Sequence, residues 1–94
     1  MNESDLCDAA LAELLTLTVE VDHCGDTRYR NHLGQRHRIH GPAVVWADGE
    51  KWWLQNDLLH RTDGPAVETD GYKHWYLNGE RFTEAQWNER IKSM

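Results

Sequence analysis

The feature that most constrains this chain is an internal repeat. His37-Arg38-Ile39-His40-Gly41-Pro42-Ala43-Val44 recurs 23 residues later as His60-Arg61-Thr62-Asp63-Gly64-Pro65-Ala66-Val67. Asp48-Gly49-Glu50-Lys51-Trp52-Trp53-Leu54-Gln55-Asn56-Asp57 then matches Asp70-Gly71-Tyr72-Lys73-His74-Trp75-Tyr76-Leu77-Asn78-Gly79 at an offset of 22, so the first copy carries one extra residue within Val45-Trp46-Ala47. Self-similarity at so short a period means a stack of small units, none able to bury its apolar face alone. A degenerate earlier copy aligns Gly25 with the turn, Tyr29 with Trp53 and Trp75, and Leu33-Gly34 with Asn56-Asp57 and Asn78-Gly79.

Each unit reads as a β-hairpin. Asp48-Gly49 and Asp70-Gly71 lie between runs rich in Val, Trp and Tyr, and Asp-Gly supplies the positive-φ residues of two-residue hairpin turns. Asn78-Gly79 is a second reversal of the same kind. Gly-Pro at 41–42 and 64–65 marks the entry to a hairpin, because proline has no amide hydrogen to give a central strand. Asp63 precedes the second Gly-Pro, where its carboxylate can accept local amides, and His40 stands there in the first copy. That exchange marks the position as scaffolding rather than a catalytic acid.

The ends read as helices. Ser4 can cap a segment in which Leu6, Ala10 and Leu14 form an apolar stripe, with Asp5 and Asp8 in its first turn where the helix dipole favours acids. Leu17, Val19 and Val21 then alternate with polar residues as a strand does. Thr83 and Gln86 match a capping box, and Phe82 and Trp87 a hydrophobic staple. The expected fold is α+β: one domain over 1–94, with an acidic helix at 1–16, hairpin repeats at 17–82 (clear copies at 37–59 and 60–82) and a helix at 83–94. The helices are expected to cover the sheet's open edges.

The formal charge of −6 hides a strong asymmetry. Residues 1–27 hold Glu3, Asp5, Asp8, Glu13, Glu20, Asp22 and Asp26 with no Lys or Arg, whereas Arg28, Arg30, Arg36 and Arg38 follow with no carboxylate between Asp26 and Asp48. Either the two blocks neutralise each other within the fold, or one of them faces a partner. The longest apolar runs are far short of the ~20 residues a membrane span needs, and the acidic start lacks the basic and apolar regions of a signal peptide, so a soluble cytoplasmic protein is expected. Cys7 and Cys24 lack metal-finger spacing and read as thiols in a reducing compartment.

The pattern HRTDGPAVETDGYKHWYLNG resembles a variant of the MORN repeat found in many small phage and bacterial proteins. The likeness covers residues 37–82 in two good copies and 17–36 in a poor one, and departs from the pattern at Ile39, His40, Trp46 and Asp57. It implies a meander of antiparallel hairpins without catalytic residues, used as a binding or assembly surface. Some small acidic phage proteins inhibit host defence systems; the repeat pattern does not by itself place a chain among them, and an inhibitor or modulator of a bacterial host protein, anti-CRISPR-like in action, is the role expected here.

Strand alternation sorts the side chains by face. Tyr29, Trp53 and Trp75 share one face with Lys51 and Lys73, and their recurrence is expected to make a stacked aromatic core rather than a ligand cage. The other face carries Arg28, Trp52 and His74 at one level and Arg30, Leu54 and Tyr76 at the next. Mixed aromatic and cationic groups are typical of interface hot spots, although a terminal helix packed there would make Trp52 and Leu54 core residues.

No phosphate loop, nucleophile elbow or helical HExxH occurs, so no enzyme is expected. His23 and Cys24, as neighbours on a strand, would point to opposite faces. No His cluster offers three or four metal ligands, and His37 and His60 can instead satisfy turn carbonyls; no cofactor or metal is expected.

The reading that results is a non-catalytic protein-binding module. Its candidate contacts are Arg28, Arg30, Trp52, His74 and Tyr76 on the mixed face and Asp5, Asp8 and Glu13 on the acidic arm, which could enter a basic groove on a nucleic-acid-handling protein by polyanion mimicry. Direct nucleic-acid binding through the arginine strip 28–38 and self-association through strand edges, as a homodimer or assembly component, are the alternatives.

Overall fold

A computed structural model describes residues 12–93 of the chain. The turn signals divide it into nine short strands: β1 (Thr18–Val21), β2 (Thr27–Arg30), β3 (Val44–Val45), β4 (Lys51–Trp52), β5 (Leu54–Gln55), β6 (Leu58–Leu59), β7 (Val67–Glu68), β8 (Lys73–Leu77) and β9 (Glu80–Phe82). Seven form an antiparallel sheet in the order β1-β2-β3-β4-β7-β8-β9, and β5 and β6 pair apart from it as a two-stranded sheet. Helical residues 12–16 (α1) precede β1, and α2 (Glu84–Lys92) follows β9. The protein is thus α+β, mostly antiparallel sheet with short helices at both ends. No helix among the described residues is long and apolar enough to cross a membrane.

Backbone conformation explains the reversals. Asn56 (φ 52°) with Asp57 (φ 67°), and Asn78 (φ 51°) with Gly79 (φ 82°), place two successive residues in the left-handed region, as a tight two-residue turn requires. Asp57 holds that conformation without glycine's freedom, and its carboxylate is tied down by the Arg36 amide at 2.7 Å and Arg36 Nε at 3.2 Å. The Asp-Gly tips differ from one another. Trp46 N bonds Glu50 O and Gly49 N bonds Trp46 O, so Ala47-Asp48-Gly49 is a three-residue loop with Gly49 alone at positive φ. In the second copy Thr69 N bonds Tyr72 O directly across Asp70-Gly71. A two-residue loop therefore forms only at 70–71, and there neither Asp70 nor Gly71 takes the positive φ expected of it; the residue inserted in the first copy is absorbed at its tip.

Small residues make the interior. Ala43, Val44, Ala66 and Val67, which follow the two Gly-Pro pairs, are all buried, as are Leu54, Leu77 and Trp87. Trp46, Trp52 and Leu59 pack on the cluster of Ala43, Val44 and Leu54. The Thr83–Gln86 capping box forms reciprocally at the start of α2. Trp87 on that helix is 8% exposed and donates its indole N–H to Arg61 O at 3.0 Å.

The expected stack of Tyr29, Trp53 and Trp75 is replaced by a different packing. The Arg38 guanidinium lies 4.3 Å from the centroid of Tyr29, and that of Arg61 lies 3.8 Å from Trp53. Each arginine is closed from the other side by the glycine three residues on: a Cβ placed on Gly41 or Gly64 would come within 2.8 Å of the guanidinium carbon. These two glycines are needed for close approach. Proline alone does not explain the motif. Two further expectations need correction. His37 and His60 accept through Nδ1 from the amides of Asn56 and Asn78, both at 3.0 Å, rather than donating to carbonyls. His23 and Cys24 sit in the β1–β2 turn rather than on a strand, with Cys24 exposed as a free thiol.

Candidate partner-binding face

Register places three of the sequence-nominated residues in one line. Arg28 pairs with Val44, Val44 with Trp52, Trp52 with Val67 and Val67 with His74, so Arg28, Trp52 and His74 share a face at one level. Trp46, two residues past Val44, joins them. Its ring stands 5.3 Å from Trp52, edge to face, and Arg28 lies 5.7 Å from its centroid. At the far end Tyr72 tilts against His74 with centroids 4.8 Å apart, and Arg81 Nη2 donates to His74 Nδ1 at 2.8 Å. The result is an interrupted band of cationic and aromatic groups from β2 to β9, with the buried Val44 and Val67 at the same level between them. Tyr72, 52% exposed, and Trp46 are members that sequence reasoning left out, though both follow from counting alternate residues outward from Val44 and His74.

The second level does not form a row. Leu54 leaves for the two-stranded sheet and is buried, which separates Arg30 on β2 from Tyr76 on β8. Trp52 belongs half to the core: it packs on the Ala43, Val44 and Leu54 cluster, and its indole donates to Glu50. Leu54 is a core residue outright, and among the described residues Trp46, Trp52 and Leu59 pack on its cluster. Of the acidic arm, Asp5 and Asp8, with Ser4, Leu6, Cys7 and Ala10, lie outside the described residues. The Glu13 carboxylate is occupied within the chain, accepting from the amides of Ile39 and His40 at 2.5 and 2.8 Å.

The two charge blocks meet. Arg28 pairs with Asp22 at 3.1 Å and Asp26 at 3.9 Å and Arg30 with Glu20 at 3.5 Å, whereas Arg36 finds its carboxylate outside the acidic block, on Asp57 at 3.2 Å. The Asp26 amide, aided by Arg28 and the Cys24 amide, holds the Asp22 carboxyl below its ordinary pKa. The Arg36 amide does the same for Asp57, with help from the Arg36 and Arg30 charges. Arg38 spends its cation on Tyr29. Its Nε is buried without a partner because His40 stands where Asp63, in the second copy, accepts from Arg61 Nε at 2.8 Å. Burial pushes the His60 pKa down, in keeping with an Nδ1 that must stay unprotonated to accept.

A groove of about 480 Å³ runs between the two copies, lined by His40, Trp53, His60, Arg61 and Asp63 among others. Among the described residues no three His, Cys, Asp or Glu side chains come together as metal ligands would. No protein-family profile, curated protein or solved structure matches the chain.

Proposed function

We propose that this protein is a non-catalytic binding module, built of hairpin repeats, that inhibits or modulates a bacterial host protein by direct contact. The observation that carries the binding reading is the band of Arg28, Trp46, Trp52, His74, Tyr72 and Arg81 across one sheet face. Aromatic and arginine side chains already held by ring contacts and hydrogen bonds lose little conformational freedom on docking, and they are the residue types that dominate interface energetics. The repeat assignment is supported by three features shared between units: an arginine over an aromatic ring, a glycine behind it, and a histidine accepting from the next turn. The host target and the anti-defence role rest on the resemblance of the repeat motif.

A protein partner is favoured over nucleic acid because Arg28, Arg30 and Arg36 each carry a carboxylate partner, and a phosphate would have to displace it. The test is capture of partners from nuclease-treated bacterial lysate with the tagged chain and with the variants Tyr72→Ala and His74→Ala. Loss of a stoichiometric partner in both variants, with unchanged circular dichroism, is the expected result. Equal recovery by all three proteins would refute the face, and gel retardation of DNA or RNA at low salt would refute the choice of partner class.

A further inference from the structure

We propose that the free edge of β1 pairs with β1 of a second copy, making a two-fold symmetric dimer through a continuous fourteen-stranded sheet. Among the described residues β1 pairs only with β2, and all four of its residues are exposed. Val19 is 50% and Val21 64% exposed on the same face. Exposed apolar edges of this kind invite pairing unless charge, proline or a bulge blocks them. β1 has no proline, and its one charged residue, Glu20, is paired with Arg30 in its own chain.

Backbone polarity shows which groups are available. Asp22 N bonds Asp26 O, so Asp22, Glu20 and Thr18 direct their N–H and C=O toward β2. By alternation Val19 and Val21 direct theirs outward. Leu17 offers its carbonyl outward too, its amide being bonded to Leu14 O. Self-pairing centred on Val19 sets Val19 against Val19, Val21 against Leu17 and Thr18 against Glu20 of the second copy, with four backbone hydrogen bonds between them. Centring on Glu20 would set the two Glu20 carboxylates face to face, and centring on Val21 would set Glu20 against Asp22. Like charges directly opposite are destabilising, so the Val19 register is the one selected. It also orders the polar face as Arg28, Glu20, then Thr18 and Arg30 of the second copy, so acid and base alternate across the junction. The second copy is the occupant because only an identical strand makes both halves of this pattern complementary at once.

A junction of this length falls below the standard interface size, so a dissociation constant between about 10 µM and 1 mM is expected. Sedimentation equilibrium of the full chain should show a mass rising from 11.0 kDa toward twice that value over this range. Val19→Lys and Val21→Lys, at exposed positions, should each remain monomeric while keeping the wild-type circular dichroism. In a Cys7→Ser, Cys24→Ser background, Val19→Cys should form a disulfide-linked dimer, since paired Cα atoms ~5.5 Å apart suit a disulfide. A monomeric mass at about 1 mM, or a dimer untouched by both lysines, would overturn the proposal; cross-linking by Glu20→Cys in place of Val19→Cys would overturn the register.

Discussion

Replacing Gly64 with alanine tests the packing of Arg61 directly. Gly64 is not at positive φ, so alanine meets no backbone penalty there; the obstacle is the side chain facing it. The new Cβ would stand 2.8 Å from Arg61 Cζ and 3.0 Å from Nη1, with the Trp53 ring closing the other side at 3.8 Å. With the ring behind it the guanidinium cannot back away, and relief comes by its leaving the slot. Its departure gives up a cation–π contact of about 1–2 kcal/mol. It also breaks the Nη1 bond to Pro65 O at 3.1 Å and the Nε pair with the exposed Asp63, together about 1–2 kcal/mol. Against this, exchanging Gly for Ala stabilises by about 0.4–1 kcal/mol through the unfolded chain. The net loss is about 2 kcal/mol, a fall in melting temperature of roughly 8–16 °C for a domain of this size. Urea and thermal unfolding of wild type, Gly64→Ala, Arg61→Ala and the double variant would measure it as a cycle. Once Arg61 is gone, Gly64→Ala should be neutral or mildly stabilising, giving a coupling of about 2–3 kcal/mol. A Gly64→Ala penalty of equal size in both backgrounds would refute the reasoning.

Leu54→Ala, at a site 1% exposed, should cost about 2–5 kcal/mol in a denaturant titration. Thr83→Ala removes the reciprocal cap of α2 and should cost about 1 kcal/mol, whereas Thr83→Ser should restore most of it. Acid should weaken the fold in two stages. The folded pKa of His60 lies below the unfolded value near 6.5, so the unfolded chain binds its proton first; stability is complete above that pH and falls as pH drops toward the folded value. His60→Gln should flatten the unfolding curve over that range. Asp22 and Asp57, also lowered, retain their contribution above about pH 3.8 and lose it on further acidification, and Asp57→Asn should reduce the second stage.

How far these features can be read from residue types differs from element to element. Asn78-Gly79 announces its turn because few residues tolerate two positive-φ positions in succession, whereas Asp57, where the repeat departs from glycine, takes the same conformation without that signal. The line from Arg28 through Trp52 to His74 is equally legible, since equivalent repeat positions and a two-residue period put them on one face. Periodicity does not say which face is dry. Both faces hold buried positions after each Gly-Pro, Ala43 and Ala66 on one and Val44 and Val67 on the other, where small side chains let neighbouring strands and rings close over them. Nor does alternation say where a long side chain ends. Arg38 and Arg61 fold back over rings nine and eight residues earlier, and the only sequence trace is the recurrence of aromatic, arginine and glycine at those intervals. The arginine strip reads as a free cationic patch until Asp22, Glu20 and Asp57 are brought beside it by pairing.

The unequal tips at 47–49 and 70–71 carry a practical consequence. Each unit is fastened at its base by arginine, ring, glycine and histidine, while its tip accommodates one residue more or fewer without disturbing the pairing of Val45 with Lys51 or Glu68 with Lys73. Lengthening a surface loop costs little closure entropy. The exposed tip Ala47-Asp48-Gly49 is therefore the place to graft a reporter peptide or an epitope, displayed at the margin of the sheet.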